Sequence, residues 1–151
     1  MEEFRELYQQ VILDHNKNPR NFREIENASF VKEGVNPLCG DHYTLYLIIK
    51  DNVITDISFK GAGCAISKAS ASIMSSVLKG KTRAEAEKIF KLFHEVVTGE
   101  IDPLLHMEEL GKLAAFAGVA EFPMRVKCAT LAWHTMHAAL EQENGPVSTE
   151  S

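Results

Sequence analysis

Residues 39–64 read Cys39-Gly40-Asp41-His42-Tyr43-Thr44-Leu45-Tyr46-Leu47-Ile48-Ile49-Lys50-Asp51-Asn52-Val53-Ile54-Thr55-Asp56-Ile57-Ser58-Phe59-Lys60-Gly61-Ala62-Gly63-Cys64. Tyr43, Leu45, Leu47 and Ile49 alternate along one strand face, and Val53, Thr55, Ile57 and Phe59 along another. Lys50-Asp51-Asn52 supplies the turn, so the stretch reads as an antiparallel hairpin. With the turn centred near Asp51, Tyr43 falls opposite Phe59. Extending both strands outward then brings Cys39 near residue 63 or 64, so two thiols meet at the open end of the hairpin.

Working outward, Phe4, Leu7, Tyr8, Val11 and Ile12 recur at helical spacing and predict a helix over 3–15, ended by Asn16 to Asn21 with Pro19. A short strand is expected over 28–33. Beyond the hairpin, Gly61-Ala62-Gly63 breaks the alternation. A helix starts near Cys64, with Ile66, Ala69, Ile73, Val77 and Leu78 as its stripe and Gly80 as its terminator. Thr82 and Glu85 form a capping box for a helix to about Thr98, stopped by Gly99. Pro103 interrupts the segment 101–121, in which Met107 to Ala117 reads as a further helix. Pro123 introduces a last helix with Val126, Ala129, Thr130, Trp133, His137 and Leu140 on one side. Strands early and helices late point to an α+β fold, a small antiparallel sheet packed against several α-helices. One domain over 1–143 is expected, with a polar, disordered tail over 144–151.

Composition narrows the function. The 151 residues are 45% hydrophobic, enough for a core without disulfides, and carry a formal charge of −5, the wrong sign for a nucleic-acid binder. No apolar run approaches the ~18–20 residues that span a bilayer, so no membrane role is expected. The acidic, amphipathic start is unlike a signal peptide. The default setting is cytoplasmic and reducing, where three cysteines are thiols or ligands rather than disulfides.

Each cysteine has its own surroundings. Gly40 separates Cys39 from the Asp41 carboxylate. Cys64 opens a helix, whose N-terminal dipoles favour a thiolate. Cys128 lies near Arg125 and Lys127, whose charges push the same way. Three depressed thiols and a carboxylate suit Zn²⁺, although scattered cysteines also serve as small buried hydrophobes. His42, His134 and His137 are read as ordinary surface or core residues, the last two on one helix face. The serines between Ser67 and Ser76 look like small-residue packing.

Three blocks settle which reading to prefer: Asn36-Pro37-Leu38-Cys39-Gly40-Asp41, Gly61-Ala62-Gly63-Cys64-Ala65-Ile66-Ser67-Lys68-Ala69-Ser70-Ala71-Ser72, and Phe122-Pro123-Met124-Arg125-Val126-Lys127-Cys128-Ala129-Thr130-Leu131. They resemble the signature blocks of the IscU/NifU-like family of iron–sulfur cluster assembly, as do Tyr8 to His15 and Asn18-Pro19-Arg20-Asn21. Lys127, where the scaffold branch carries histidine, and the long stretch between Cys64 and Cys128 resemble the SufU branch. The resemblance implies a SufE/NifU-like (IscU-like) fold with Cys39, Asp41, Cys64 and Cys128 as zinc ligands. It also implies a SufS-type cysteine desulfurase as partner, and downstream Fe–S scaffold proteins beyond it. Cys39 would be the catalytic residue, since Gly40 leaves its loop free to move. The alternatives are an IscU-like scaffold that binds iron and builds a cluster, and a zinc-stabilised interaction module without turnover.

Overall fold

A computed structural model describes residues 2–141 and 147–148, with side-chain surroundings from Tyr8 to Glu141. The α-helix α1 spans Glu2–Lys17. Strands β1 (Phe30–Asn36), β2 (Asp41–Lys50) and β3 (Val53–Ala62) form an antiparallel meander. Helices α2 (Ala65–Leu78) and α3 (Arg83–Val97) follow. A 3-10 turn over Pro103–His106, a single helical turn α4 (Met107–Leu110) and a run of 3-10 turns over Gly111–Glu121 lead into α5 (Pro123–Leu140). A two-residue strand β4, Val147–Ser148, lies parallel to β1 and gives the order β3-β2-β1-β4. These are the only residues of the expected disordered tail that are described; the rest of it lies outside.

The fold is α+β, with the helices on one face of the sheet. Tyr43, Leu45, Leu47, Ile57 and Phe59 turn inward, while Val31, Glu33 and His42 face solvent. One-sided burial of this kind is what the alternating pattern encodes.

The hairpin register differs from expectation. Asp51 and Asn52 both have positive φ, 51° and 66°, forming a two-residue turn that pairs Lys50 with Val53. An extra residue then enters β3 between Ile54 and Asp56. Thr55 bulges out and donates its hydroxyl to Ile48 O at 3.2 Å. A bulge reverses the phase of a strand. Ile54 therefore enters the core where Val53 and Thr55 were expected, and Tyr43 faces Gly61 rather than Phe59.

Helix boundaries were more legible. The Thr82–Glu85 capping box is present, and Gly99 with φ +79° closes α3. The expected helix over 107–117 is reduced to one α turn, because Gly111 leaves the helical region at φ +53° and the chain continues as 3-10 turns. The expected strand 28–33 lies two to three residues further on. Helix α5 was expected to be one-sided but is buried almost all round from Cys128 to Leu140, since it packs against β1, β2, α2, α3 and the 111–121 turns. Trp133 stacks on Phe93 with centroids 4.8 Å apart at its centre.

Candidate metal centre

Three elements converge at the end of the sheet nearest the start of α2. The β1–β2 connection turns through Pro37-Leu38-Cys39-Gly40, with Cys39 N–H donating to Asn36 O at 3.2 Å and Gly40 at φ +73°. It leaves Cys39 half-buried and delivers Asp41 as the first residue of β2, 2% exposed. Cys64 is the N-cap of α2, its sulfur accepting Ser67 N–H at 3.4 Å. Cys128, 4% exposed, lies on the second turn of α5.

One donor atom each from Cys39, Asp41 and Cys128 lies within 4.8 Å of the others. The Cys128 thiol donates to Cys39 Sγ at 3.5 Å. Two sulfurs on one tetrahedral ion at ~2.3 Å stand about 3.8 Å apart, so little movement separates this pair from a ligand pair. Asp41 Oδ1 accepts Cys64 N–H at 2.8 Å, whereas Asp41 Oδ2 is buried without a partner. An unpaired buried carboxylate oxygen facing sulfur donors is costly, and a cation relieves it. The donor set fits a thiophilic divalent ion.

Cys64 stands outside that group, with its sulfur committed to the helix cap. The Cys64 thiol is drawn down to about 6, chiefly by the neighbouring Cys128 thiol and also by Ser67 N–H, against the effect of burial. Cys128 is pushed up by the neighbouring Cys64 thiol, by burial and by Cys39. Three uniformly depressed thiols were expected. Thiolates packed side by side repel one another, so what lowers Cys64 raises Cys128. Arg125 instead lays its guanidinium over the Phe122 ring, 4.4 Å from the centroid.

The bulge also changes which residues meet. His42 pairs with Ala62, so Asp41 rather than Cys39 reaches the Gly63–Cys64 corner. Gly63 is indispensable there: a Cβ would stand 2.5 Å from Asp41 Oδ1 and 2.6 Å from both Ser67 Oγ and Tyr43 Oη. Ser67 and Tyr43 share a 2.9 Å hydrogen bond, and burial pushes the Tyr43 hydroxyl up, so it stays protonated. Asn36 Nδ2 donates to Cys128 Sγ at 3.8 Å. These supporting residues were not singled out from sequence. Tyr43 could have been found from its inward strand position, but no local signal marks Asn36. Among the histidines, His42 is on the solvent face, 3.5 Å from Glu33, and His134 and His137 lie away from the cysteines in a groove between α3 and α5.

The α+β domain thus brings a turn thiol and a helix thiol together around a buried carboxylate, with the Cys64 helix cap beside them, a donor set that could hold a thiophilic metal ion. The chain belongs to the NifU-like N-terminal domain family of iron–sulfur cluster assembly, whose family model matches residues 7–142. It is 41% identical over 140 residues to the zinc-dependent sulfurtransferase SufU of Bacillus subtilis (strain 168), covering 92% of each chain. It is 39% identical to the iron–sulfur cluster assembly scaffold protein IscU of Streptococcus pyogenes serotype M1, over 90% of this chain and 84% of that one. The crystal structure of FiSufU from Fervidobacterium islandicum AW-1 matches with a TM-score of 0.80 at 40% identity, over 87% of this chain and 94% of that one. Among the described residues no helix is long and apolar enough to cross a membrane.

Proposed function

We propose that this chain is a zinc-dependent sulfurtransferase of iron–sulfur cluster assembly. It takes persulfide sulfur from a SufS-type cysteine desulfurase on Cys39 and passes it to downstream Fe–S scaffold proteins. The observation that carries the reading is mechanical. Of the three clustered cysteines, Cys64 caps a helix and Cys128 is inside one, while Cys39 sits on a four-residue turn beside Leu38, which is 67% exposed. Cys39 alone can leave the cluster without disturbing a helix.

Cys39, Asp41, Cys64 and Cys128 would hold the zinc, Cys64 giving up its cap hydrogen bond to join. A zinc ion so held keeps its ligand thiols deprotonated at neutral pH. In transfer, the Cys39 thiolate attacks the outer sulfur of the donor persulfide R–S–SH. The donor S–S bond breaks, R–S⁻ departs, and Cys39 becomes Cys39–S–SH with no net oxidation or reduction. Gly40 at φ +73° lets the turn swing, and the Cys64 N–H keeps Asp41 in place while it does. The solvent-exposed side chains of Leu38, Phe122 and Met124, beside Cys39 and ahead of Cys128, offer apolar contact to the donor protein.

The test is an anaerobic incubation with a SufS-type desulfurase and cysteine, read by metal content and by the mass of the Cys39 peptide. Stoichiometric zinc, one added sulfur on Cys39, and loss of desulfurase stimulation in Cys39→Ser but not in the surface variant Lys88→Ala support the reading. Undiminished transfer by Cys39→Ser overturns the assignment of the nucleophile. A bound, coloured, transferable cluster instead of zinc points to the scaffold role that the IscU relatives carry in their names.

A further inference from the structure

Helix α5 carries a second set of donors on its other side. His137 lies two and a half turns beyond Cys128, about 13 Å along the axis and about 180° around it. His137 Nδ1 is 2.6 Å from Glu87 Oε2 of α3, and one donor atom each from Glu87, His137 and Glu141 lies within 4.8 Å of the others. Glu87 Oε1 is buried without a hydrogen-bond partner. Glu87 and His137 line a groove of about 740 Å³ between α3 and α5 that also receives Lys91, His94 and His134. The histidine rings surround Phe90, whose centroid is 5.2 Å from that of His134 and 5.6 Å from that of His137.

We propose that this groove is a second cation site, for a first-row divalent ion of the nitrogen- and oxygen-loving kind. Two donors on one octahedral ion at ~2.1 Å stand about 3.0 Å apart, so the 2.6 Å pair of His137 Nδ1 and Glu87 Oε2 must open by about 0.4 Å to admit one. His137 and Glu141, one turn apart, project from the same side of α5, and Glu87 closes on them from α3. Two carboxylates neutralise the ion, and the unspent Glu87 Oε1 gains a partner. Three protein ligands leave positions open to water or exchange, with His134 and His94 beside them. The site holds no sulfur, so it is chemically distinct from the cysteine centre and selects ions by different rules. A simple ion pair binding α3 to α5 explains the 2.6 Å contact but explains neither Glu141 beside it nor the unpartnered oxygen.

Cobalt(II) separates the two sites by colour, since thiolate ligation gives intense sulfur-to-metal charge transfer and nitrogen–oxygen ligation only weak visible bands. Anaerobic titration of the whole protein as purified should show one equivalent with the weak spectrum alone, whatever fills the cysteine centre. Glu87→Gln and His137→Ala should each weaken that equivalent at least about tenfold. Glu141→Gln, at an exposed helix end where folding is not at stake, should weaken it several-fold, and Cys39→Ser should leave it unchanged. The absence of a sulfur-free equivalent, or its persistence at full affinity in Glu141→Gln and His137→Ala together, overturns the proposal.

Discussion

The N-terminus and the middle of α2 use similar residues to opposite effect. At its N-terminus, Gly63, Cys64 and Ser67 surround Asp41 and leave one carboxylate oxygen buried and unpaired. Along its middle, each small hydroxyl is spent. Ser70 donates to Ala129 O and accepts from Trp133 Nε1. Ser72 accepts Arg20 N–H and faces His15 Nδ1 at 2.7 Å. Ser75 accepts from Asn21 Nδ2 and donates to Ser72 O. The serine hydroxyls of the middle tie α1, the 18–22 loop and α5 into one unit, with His15 Nε2 buried beside them without a partner. The end keeps donors unspent, which costs stability and leaves capacity for a ligand.

The largest effect is expected at the unspent end. Gly63→Ala drives a Cβ into Asp41, Ser67 and Tyr43 together, and should weaken metal binding about a hundredfold, read by competition with a chelator. Full retention of metal would break the contrast between the N-terminus and the middle of the helix.

In the middle, the sharpest probe is pH. His15 is 1% exposed, and burial, helped by the Arg20 and Lys112 charges and opposed by Asp14, lowers its pKa to about 4. The unfolded chain takes up this proton near pH 6.5 and the folded one near 4, so the contribution is complete above about pH 6.5 and is lost as pH falls. By pH 4 the loss reaches about 3 kcal/mol. Urea unfolding across this window should give a shallower pH slope for His15→Gln than for the wild type; parallel slopes would show that the ring is not held neutral.

Smaller still, Ser70→Ala leaves the Trp133 N–H without its acceptor and should cost about 2 kcal/mol with metal content unchanged. Gly40→Ala meets no atom within 4 Å and should cost only the backbone penalty at φ +73°, about 1 kcal/mol, seen as a small drop in melting temperature.

Much was legible from residues alone because its physics is local. The alternation from Tyr43 to Leu47, the Thr82–Glu85 box, the Gly80 and Gly99 stops and Pro123 at the head of α5 each act through neighbours a few positions away. The three cysteine blocks pointed to the family for the same reason, each being short and contiguous. The phase of β3 was not legible, since whether Thr55 bulges depends on what the partner strand and core accept. The end of the 107–117 helix was equally hidden.

The cysteine centre divides along the same line. Sequence placed Cys39 on a loop with Asp41 two residues on, Cys64 near the start of a helix and Cys128 within one. Only the tertiary structure decided that Asp41 meets the Cys64 amide, that burial and its neighbours push the Cys128 thiol up, and that Glu87 joins His137 and Glu141 on the opposite side of α5. Backbone preferences are set within a turn or two of chain, whereas donor spacing, burial and shared protons belong to groups that meet only when distant segments pack.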